Sequence, residues 1–214
     1  IGQGEVLMTP IQLANMMATV ANEGYYYTPH IIKKIAGATI DKKFTTKHVT
    51  TIDKSHFKPI ISGLFDVYNM GTAAGLRVEG IDICGKTGTA ENFAKINGVR
   101  TQLEDHSIFV AFAPKDNPKI AIAIMIENGG FGSTIAGPIA SLMIEKYLKK
   151  KITRTDLETR ILNTSLQGQY AKLGGLNEDV KRELRIKDSI AQLKLKKQNP
   201  TPTAVVKKDS TKKN

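Results

Sequence analysis

Two apolar runs joined by a short polar connection restrict the fold of this chain more than any other stretch of its sequence. The runs extend from Ser107 to Ala113 and from Lys119 to Glu127, and each is predicted to form a strand. The connection, PKDNP, contains two prolines and leaves no room for the crossover helix that a parallel pair requires. The two strands are therefore predicted to be antiparallel neighbours.

A helix is predicted near the start of the chain. Thr9 can cap its first turn, Pro10 fits the first helical position, and Gln12 completes a capping box. The helix is expected to run to Glu23 and to stop at Gly24, which tolerates a left-handed conformation. Because apolar residues cover most of its circumference, the helix is predicted to be buried.

Further elements follow from hydrophobic spacing. Ile81 to Ala90 is predicted to be a third strand, and Tyr25 to Ile35 a strand or extended edge. Apolar residues at helical spacing predict two more helices, the first marked by Phe57, Ile60, Ile61, Leu64 and Tyr68, and the second by Ile139, Leu142, Met143 and Tyr147.

Charge is distributed unevenly along the chain. The net charge is +11, and most of the excess lies in residues 151–214, which are polar and rich in lysine. We predict that residues 1–150 form the folded part and that residues 151–214 are a basic, largely flexible tail, with one helix from Asn177 to about Gln198. The chain has no tryptophan and few aromatic residues to stack on bases, so no nucleic-acid partner is expected.

The string GIDICGKTGTAEN, from Gly80 to Asn92, matches two motifs that share Lys86. As G-x-x-x-x-G-K-[ST] it fits a phosphate-binding loop, and as K-T-G-T it fits the lysine box of serine enzymes that attack D-alanyl peptides. A phosphate loop needs amides turned inward and a helix after the lysine. Ile81 and Ile83 favour a strand instead, and Gly88 is a poor helix residue. The lysine box is therefore the preferred interpretation.

Each residue of the lysine box suits a particular task. Lys86 supplies a positive charge beside the proton path of a serine nucleophile and beside the substrate carboxylate, while the hydroxyls of Thr87 and Thr89 can bind that carboxylate. Gly88 lets another backbone approach closely. The amide of Thr89 can point at the oxyanion that forms during attack. We predict Lys86 as a catalytic residue, and Lys86, Thr87, Gly88 and Thr89 as substrate-binding residues.

Three stretches carry a wider resemblance. They are GQGEVLMTPIQLANMMATVANEG at residues 2–24, GTAAGLRVEGIDICGKTGTAEN at residues 71–92, and HSIFVAFAPKDNPKIAIAIMIENGG at residues 106–130. With these stretches in this order, residues 1–150 resemble the C-terminal part of the penicillin-binding transpeptidases, most closely the monofunctional type that acts in cell elongation.

The resemblance implies an α+β fold, a partial penicillin-binding/β-lactamase-like fold with a three-stranded antiparallel sheet flanked by helices. It also implies a serine D,D-transpeptidase that attacks the D-Ala-D-Ala end of a peptidoglycan stem peptide and passes the acyl group to an amine. β-Lactams would acylate the same serine. The expected location is the outer side of the cytoplasmic membrane, with an anchor upstream of this chain, and cell-elongation proteins are the expected partners.

Two motifs of that family are missing from the chain. No S-x-N occurs, and S-x-x-K occurs only from Ser55 to Lys58 and from Ser210 to Lys213. Pro59 is expected to keep Lys58 out of helical geometry, and Ser210 lies in the predicted tail, so we interpret both matches as accidental. We therefore expect that the chain begins after both motifs and cannot form an acyl-enzyme by itself.

Two alternatives stay open. A β-lactam sensor or a degenerate penicillin-binding domain could keep the lysine box while its acylation chemistry differs, and a phosphate-loop protein would bind ATP through Lys86. No metal or cofactor is expected, because the histidines lack metal-ligand spacing and Cys84 is the sole cysteine.

Overall fold

The computed structural model describes residues 3–96 and 98–171, together with residues 185, 186 and 189. The chain divides into two units, Ile1–Tyr170 and Ala171–Asn214. The helix predicted from Asn177 to Gln198 lies almost entirely outside the described residues, and the prediction of a flexible segment there stays a prediction.

Along the described part of the chain, helices and short strands come first, five consecutive strands follow, and three helices come last. The helices are α1 (Pro10–Ala21), α2 (Lys42–Thr45), α3 (Phe57–Asn69), α4 (Ala136–Lys149), α5 (Thr155–Leu162) and α6 (Gln167–Ala171). The strands are β1 (Tyr25–Tyr27), β2 (Lys47–Val49), β3 (Cys84–Ala90), β4 (Phe93–Ile96), β5 (Val99–Gln102), β6 (His106–Ala113) and β7 (Ile120–Ile126). Short 3₁₀ turns lie at Lys54–His56 and Ala74–Leu76.

The central sheet has three antiparallel strands in the order β3-β6-β7. In its register Lys86 lies opposite Val110, and Val110 lies opposite Ala123. The prediction that the last two strands are antiparallel neighbours is confirmed, and so is the α+β fold with a three-stranded antiparallel sheet. The connection between β6 and β7 is short, as a direct antiparallel return requires.

The first strand of this sheet begins later than the sequence predicted. β3 starts at Cys84, not at Ile81. Val78 and Ile81 form an isolated bridge, and Gly80 between them has a φ of 69°, which turns the chain before it enters the sheet.

Helices cover both faces of the sheet. On one face Phe109 and Ala111 are buried with residues of α4, and on the other Val110 and Phe112 are buried with Met17 of α1. Because successive side chains of a strand point to opposite faces, β6 contributes to two hydrophobic clusters. Burial on both faces explains why this strand is apolar at nearly every position.

The first helix begins as predicted but is less buried than predicted. The Gln12 Oε1 atom accepts a hydrogen bond from the Thr9 amide at 2.8 Å, as a capping box requires. The helix ends at Ala21, and only Met17 is buried, whereas 60% of Ile11 and 41% of Met16 are exposed. The prediction of a buried helix is therefore wrong for this chain, because α1 packs on β6 and β7 along one side.

The second predicted helix is α3, and its start corrects the argument about Pro59. Lys58 and Pro59 both lie in the first turn of α3. Amides in that turn have no partner within the helix, so proline costs nothing there, and Lys58 stays helical. Ser55 lies before the helix in a 3₁₀ turn, where its hydroxyl donates to Asp53 at 2.6 Å.

Two small sheets lie apart from the central one. β1 is shorter than the predicted strand from Tyr25 to Ile35, and it pairs with β2. β4 and β5 form a hairpin that was not predicted from the sequence. Its signal was present, because Asn97-Gly98 is a typical hairpin dipeptide and Gly98 has a φ of 83°.

The compact unit continues past residue 150, where the sequence predicted a tail to begin. Arg154 Nε donates to Glu145 Oε2 at 3.0 Å, and the Thr153 amide donates to Glu145 Oε1 at 3.1 Å. Glu145 is fully buried in α4, so these bonds fix the chain that leads into α5. Residues 151–170 consequently belong to the first unit.

Candidate functional site

The lysine box lies on a strand with one open edge. Lys86, Thr87, Gly88 and Thr89 all lie within β3, which pairs with β6 on one side and has no strand partner on the other among the described residues. The Lys86 side chain is exposed, and its Nζ atom donates to the Thr87 carbonyl at 2.8 Å. The motif therefore lies where an extended peptide could reach both its side chains and its backbone.

Strand geometry divides the motif between two faces. Lys86 shares a face with Cys84, which is buried in the cluster beneath α1, whereas Thr87 and Thr89 project from the opposite face. Burial raises the pKa of the Cys84 thiol to about 12, so this cysteine stays protonated and takes no part in nucleophilic chemistry. The cysteine two residues before Lys86 on that face is thus structural.

Gly132 packs directly against the backbone of the lysine box, a contact that was not predicted from the sequence. A Cβ atom on Gly132 would lie 2.3 Å from the Ile108 carbonyl oxygen and 2.6 Å from that of Gly88. The Ser107 hydroxyl donates to the Phe131 carbonyl at 2.9 Å and accepts from the Ala136 amide at 3.3 Å, which fixes the loop that holds Gly132. The loop supports β3 and β6 from the α4 side.

Thr72 also contacts the lysine box and was not predicted as a site residue. Its Oγ1 atom lies 3.1 Å from Thr87 Oγ1, at hydrogen-bonding distance. Thr72 is held between Gly71, whose amide donates to Asp66, and Ala73, which is fully buried. The Thr72 hydroxyl can therefore orient the Thr87 hydroxyl toward a substrate carboxylate.

The structure rules out the phosphate-loop alternative. Lys86 and Thr87 are in the interior of a strand that continues to Ala90. A phosphate loop places its lysine and hydroxyl residue at the start of a helix, with the preceding amides wrapped around the phosphate. An extended strand has neither feature.

Polar residues near the lysine box hydrogen-bond to one another. Asn92, next to the lysine box, donates from Nδ2 to Asn128 Oδ1 at 2.6 Å, and His106 Nδ1 accepts from the Asn128 amide at 3.1 Å. Ser210 lies outside the described residues. Within the ranges that the structure describes, no group of histidine, cysteine, aspartate and glutamate could hold a metal ion, and no helix is long and apolar enough to cross a membrane.

Known proteins similar in sequence to this chain include penicillin-binding transpeptidases. Residues 1–145 match the family described as "Penicillin binding protein transpeptidase domain". The chain is 35% identical over 189 residues to peptidoglycan D,D-transpeptidase MrdA of Acinetobacter baumannii, a match that covers 81% of this chain and 27% of the relative. It is 31% identical over 169 residues to MrdA of Haemophilus influenzae, covering 73% of this chain and 26% of the relative.

Solved structures similar to this chain also include penicillin-binding proteins. The chain resembles Pseudomonas aeruginosa PBP2 in complex with WCK 5153, with 32% identity and a TM-score of 0.56 over 72% of this chain and 33% of that one. It also resembles the imipenem acyl-enzyme of penicillin-binding protein A from M. tuberculosis, with 28% identity and a TM-score of 0.56 over 69% of this chain and 32% of that one. The chain spans about a quarter of the length of the two MrdA relatives.

Proposed function

The chain belongs to the penicillin-binding protein transpeptidase family, and from this we propose that it supplies one wall of the active site of a serine D,D-transpeptidase of the PBP2 type. The observation that carries the proposal is the position of Lys86 to Thr89 on the open edge of β3. There the Lys86 side chain is exposed, Thr87 and Thr89 are partly exposed, and the strand edge is open to an extended peptide.

The reaction has two acyl-transfer steps. A serine oxygen forms a bond to the penultimate D-alanine carbonyl carbon, the C–N bond to the terminal D-alanine breaks, and that D-alanine leaves with a proton. An amine of a neighbouring stem peptide then forms a C–N bond to the same carbon, the C–O bond to the serine breaks, and the amine proton passes to the serine oxygen. We propose that the serine comes from a segment outside residues 1–214, since this chain lacks S-x-N and its Ser55 hydroxyl is bonded to Asp53.

The lysine box would act in recognition and in transition-state stabilisation. The Lys86 ammonium lowers the energy of negative charge near the serine and attracts the substrate carboxylate. Thr87 and Thr89 bind that carboxylate through their hydroxyls, and the Thr89 amide donates to the oxyanion. Gly88 supports the motif from within the sheet, because a Cβ atom there would lie only 3.2 Å from Ile108 Cβ.

The wider context is part of the same proposal. Peptidoglycan stem peptides are the substrates, β-lactams are the inhibitors, and the protein works in the cell envelope on the outer side of the cytoplasmic membrane. Cell-elongation proteins are the proposed partners. The names of the relatives and the acyl-enzyme structure of a relative support the substrate and inhibitor classes.

A labelling experiment with fluorescent penicillin tests the proposal. The full-length protein should be labelled with one penicillin per chain, and Lys86→Ala should slow labelling by about a hundredfold, the usual cost of removing one oxyanion-stabilising group. Lys146→Ala, which removes an exposed lysine from α4, should label at the wild-type rate. Residues 1–214 alone should not be labelled.

Three outcomes would contradict parts of the proposal. Covalent labelling of residues 1–214 would show that the nucleophile is in this chain. An unlabelled full-length protein would overturn the transpeptidase assignment. Stoichiometric labelling without acyl transfer from a D-Ala-D-Ala donor to an added amine would favour a β-lactam sensor.

A further inference from the structure

The side chain of Gln3 binds the backbone of the residue that follows β3. Gln3 Nε2 donates to the Glu91 carbonyl at 3.2 Å, and Gln3 Oε1 accepts from the Glu91 amide at 2.7 Å. A paired strand makes the same two bonds to a residue of its neighbour. One side-chain amide thus replaces a strand partner at this position, although 88 residues separate the two in sequence.

Backbone direction shows which edge of β3 this contact occupies. In an extended chain, successive residues point their N–H and C=O groups to opposite edges. The Asn92 carbonyl accepts from the Leu103 amide at 2.9 Å, on the side where the chain returns to β6. The backbone groups of Glu91 therefore point away from β6. Those of Thr89, two residues earlier, point to the same open edge.

We propose that Gln3 is a positioning residue for the lysine box, which deepens and rests on the proposed transpeptidase function. By holding Glu91 at both of its backbone groups, the Gln3 amide keeps the end of β3 extended and directs the Thr89 amide toward the reacting carbonyl. Gln3 also occupies the next hydrogen-bonding position on the edge. Because Glu91 is already bonded to Gln3, the backbone of a bound peptide can form hydrogen bonds with Thr87 and Thr89 but not with Glu91.

The contact should influence one step of the reaction more than the others. Attack by the serine places negative charge on the carbonyl oxygen, and the Thr89 amide binds that charge only as it develops. Lys86 and the threonine hydroxyls, in contrast, already bind the carboxylate of the intact substrate. Loss of the Gln3 contact should therefore slow acylation while the affinity for unreacted β-lactam changes little.

Stopped-flow acylation of the full-length protein by a chromogenic cephalosporin separates the two quantities. Gln3→Ala removes both bonds, and Gln3→Glu keeps the shape and one acceptor but removes the donor to Glu91. Both should lower the acylation rate constant by about tenfold, as a displacement of less than 1 Å would, with the dissociation constant within about twofold of wild type. Gln167→Ala, which removes an exposed glutamine from α6, is the matched control.

Hydrogen exchange at the Glu91 amide gives an independent readout of the contact. Exchange should be faster in Gln3→Ala than in wild type. If the wild-type protein is acylated and both Gln3 variants have the same acylation rate constant as wild type, the positioning role is overturned. If the wild-type protein is not acylated, the proposed function fails and the positioning role fails with it, while faster Glu91 exchange would still confirm the contact itself.

Discussion

The pair of hydroxyls formed by Thr72 and Thr87 allows a prediction at the scale of single residues. Thr72→Val keeps the shape of the side chain but removes the hydroxyl that lies 3.1 Å from Thr87 Oγ1. We expect the acylation efficiency of the full-length protein with penicillin to fall by about three- to tenfold, the usual value of one hydrogen bond. Kinetics of penicillin acylation would measure this.

Two comparisons make the result specific to carboxylate recognition. Thr72→Ser keeps a hydroxyl and should retain most of the wild-type efficiency. A penicillin methyl ester lacks the carboxylate, so wild type and Thr72→Val should react with it at similar rates. An equal loss with the acid and the ester would contradict the proposed orientation of Thr87.

Single residues differ in how far the sequence could reveal them. Lys86, Thr87, Gly88 and Thr89 form a contiguous motif whose chemistry can be argued from residue types alone. Thr72, Gly132 and Gln3 contact that motif across long stretches of chain. No local pattern encodes such a contact, because it exists only after the sheet and its flanking loops have formed.

At the scale of elements, Glu145 connects α4 to the start of α5. Burial disfavours its charge, but hydrogen bonds from Thr153 and Arg154 outweigh that effect and hold the pKa of this carboxyl below its ordinary value. Its ionisation therefore stabilises the fold above the pKa of the unfolded chain, and this stabilisation is lost as the pH falls through the lower folded pKa.

Glu145→Gln should consequently lower the free energy of unfolding by about 3 kcal/mol at neutral pH, because Arg154 is left without its charged partner. Urea denaturation of residues 1–214 at several pH values would measure this. The difference between wild type and variant should shrink as the pH falls below about 4.5, the ordinary value for glutamate. Glu79→Gln, at an exposed position, should change little, and equal effects of both variants would contradict the argument.

The elements were predictable to different degrees. α3, α4, β6 and β7 have strong hydrophobic periodicity or apolar runs, and the sequence located them well. The four-residue strands β4 and β5 have no such pattern, because their hairpin forms its own sheet apart from the core. Periodicity also overestimated the burial of α1, since apolar spacing shows which side chains favour burial but not how much surface is available to cover them.

At the scale of the whole molecule, Gly132 couples the loop before α4 to the lysine box. Gly132→Ala would place a methyl group 2.3 Å from the Ile108 carbonyl oxygen, so the loop or the two strands must move. We expect labelling of the full-length protein by fluorescent penicillin to slow by at least about tenfold. We also expect a lower melting temperature, because overpacking of this kind costs about 1–3 kcal/mol.

Gly63→Ala is the matched control. Gly63 is exposed within α3, and a Cβ atom there would meet nothing within 4 Å. Alanine should stabilise this helix by about 0.5–1 kcal/mol and leave labelling unchanged. If fluorescent penicillin labels Gly132→Ala at the wild-type rate, the loop does not support the lysine box.

The pairing register of β3 implies that this strand tolerates substitution better than changes in length. Lys86 lies on one face of the strand, Thr87 and Thr89 lie on the other, and the Thr89 amide points to the open edge. The alternation of side chains and amides along a strand fixes each of these positions. One residue inserted ahead of Lys86 and absorbed within the strand would exchange the faces of Lys86 and Thr87 and turn the Thr89 amide toward β6. Insertions and deletions should therefore accumulate in the turn around Gly80, where the chain can change length before pairing begins.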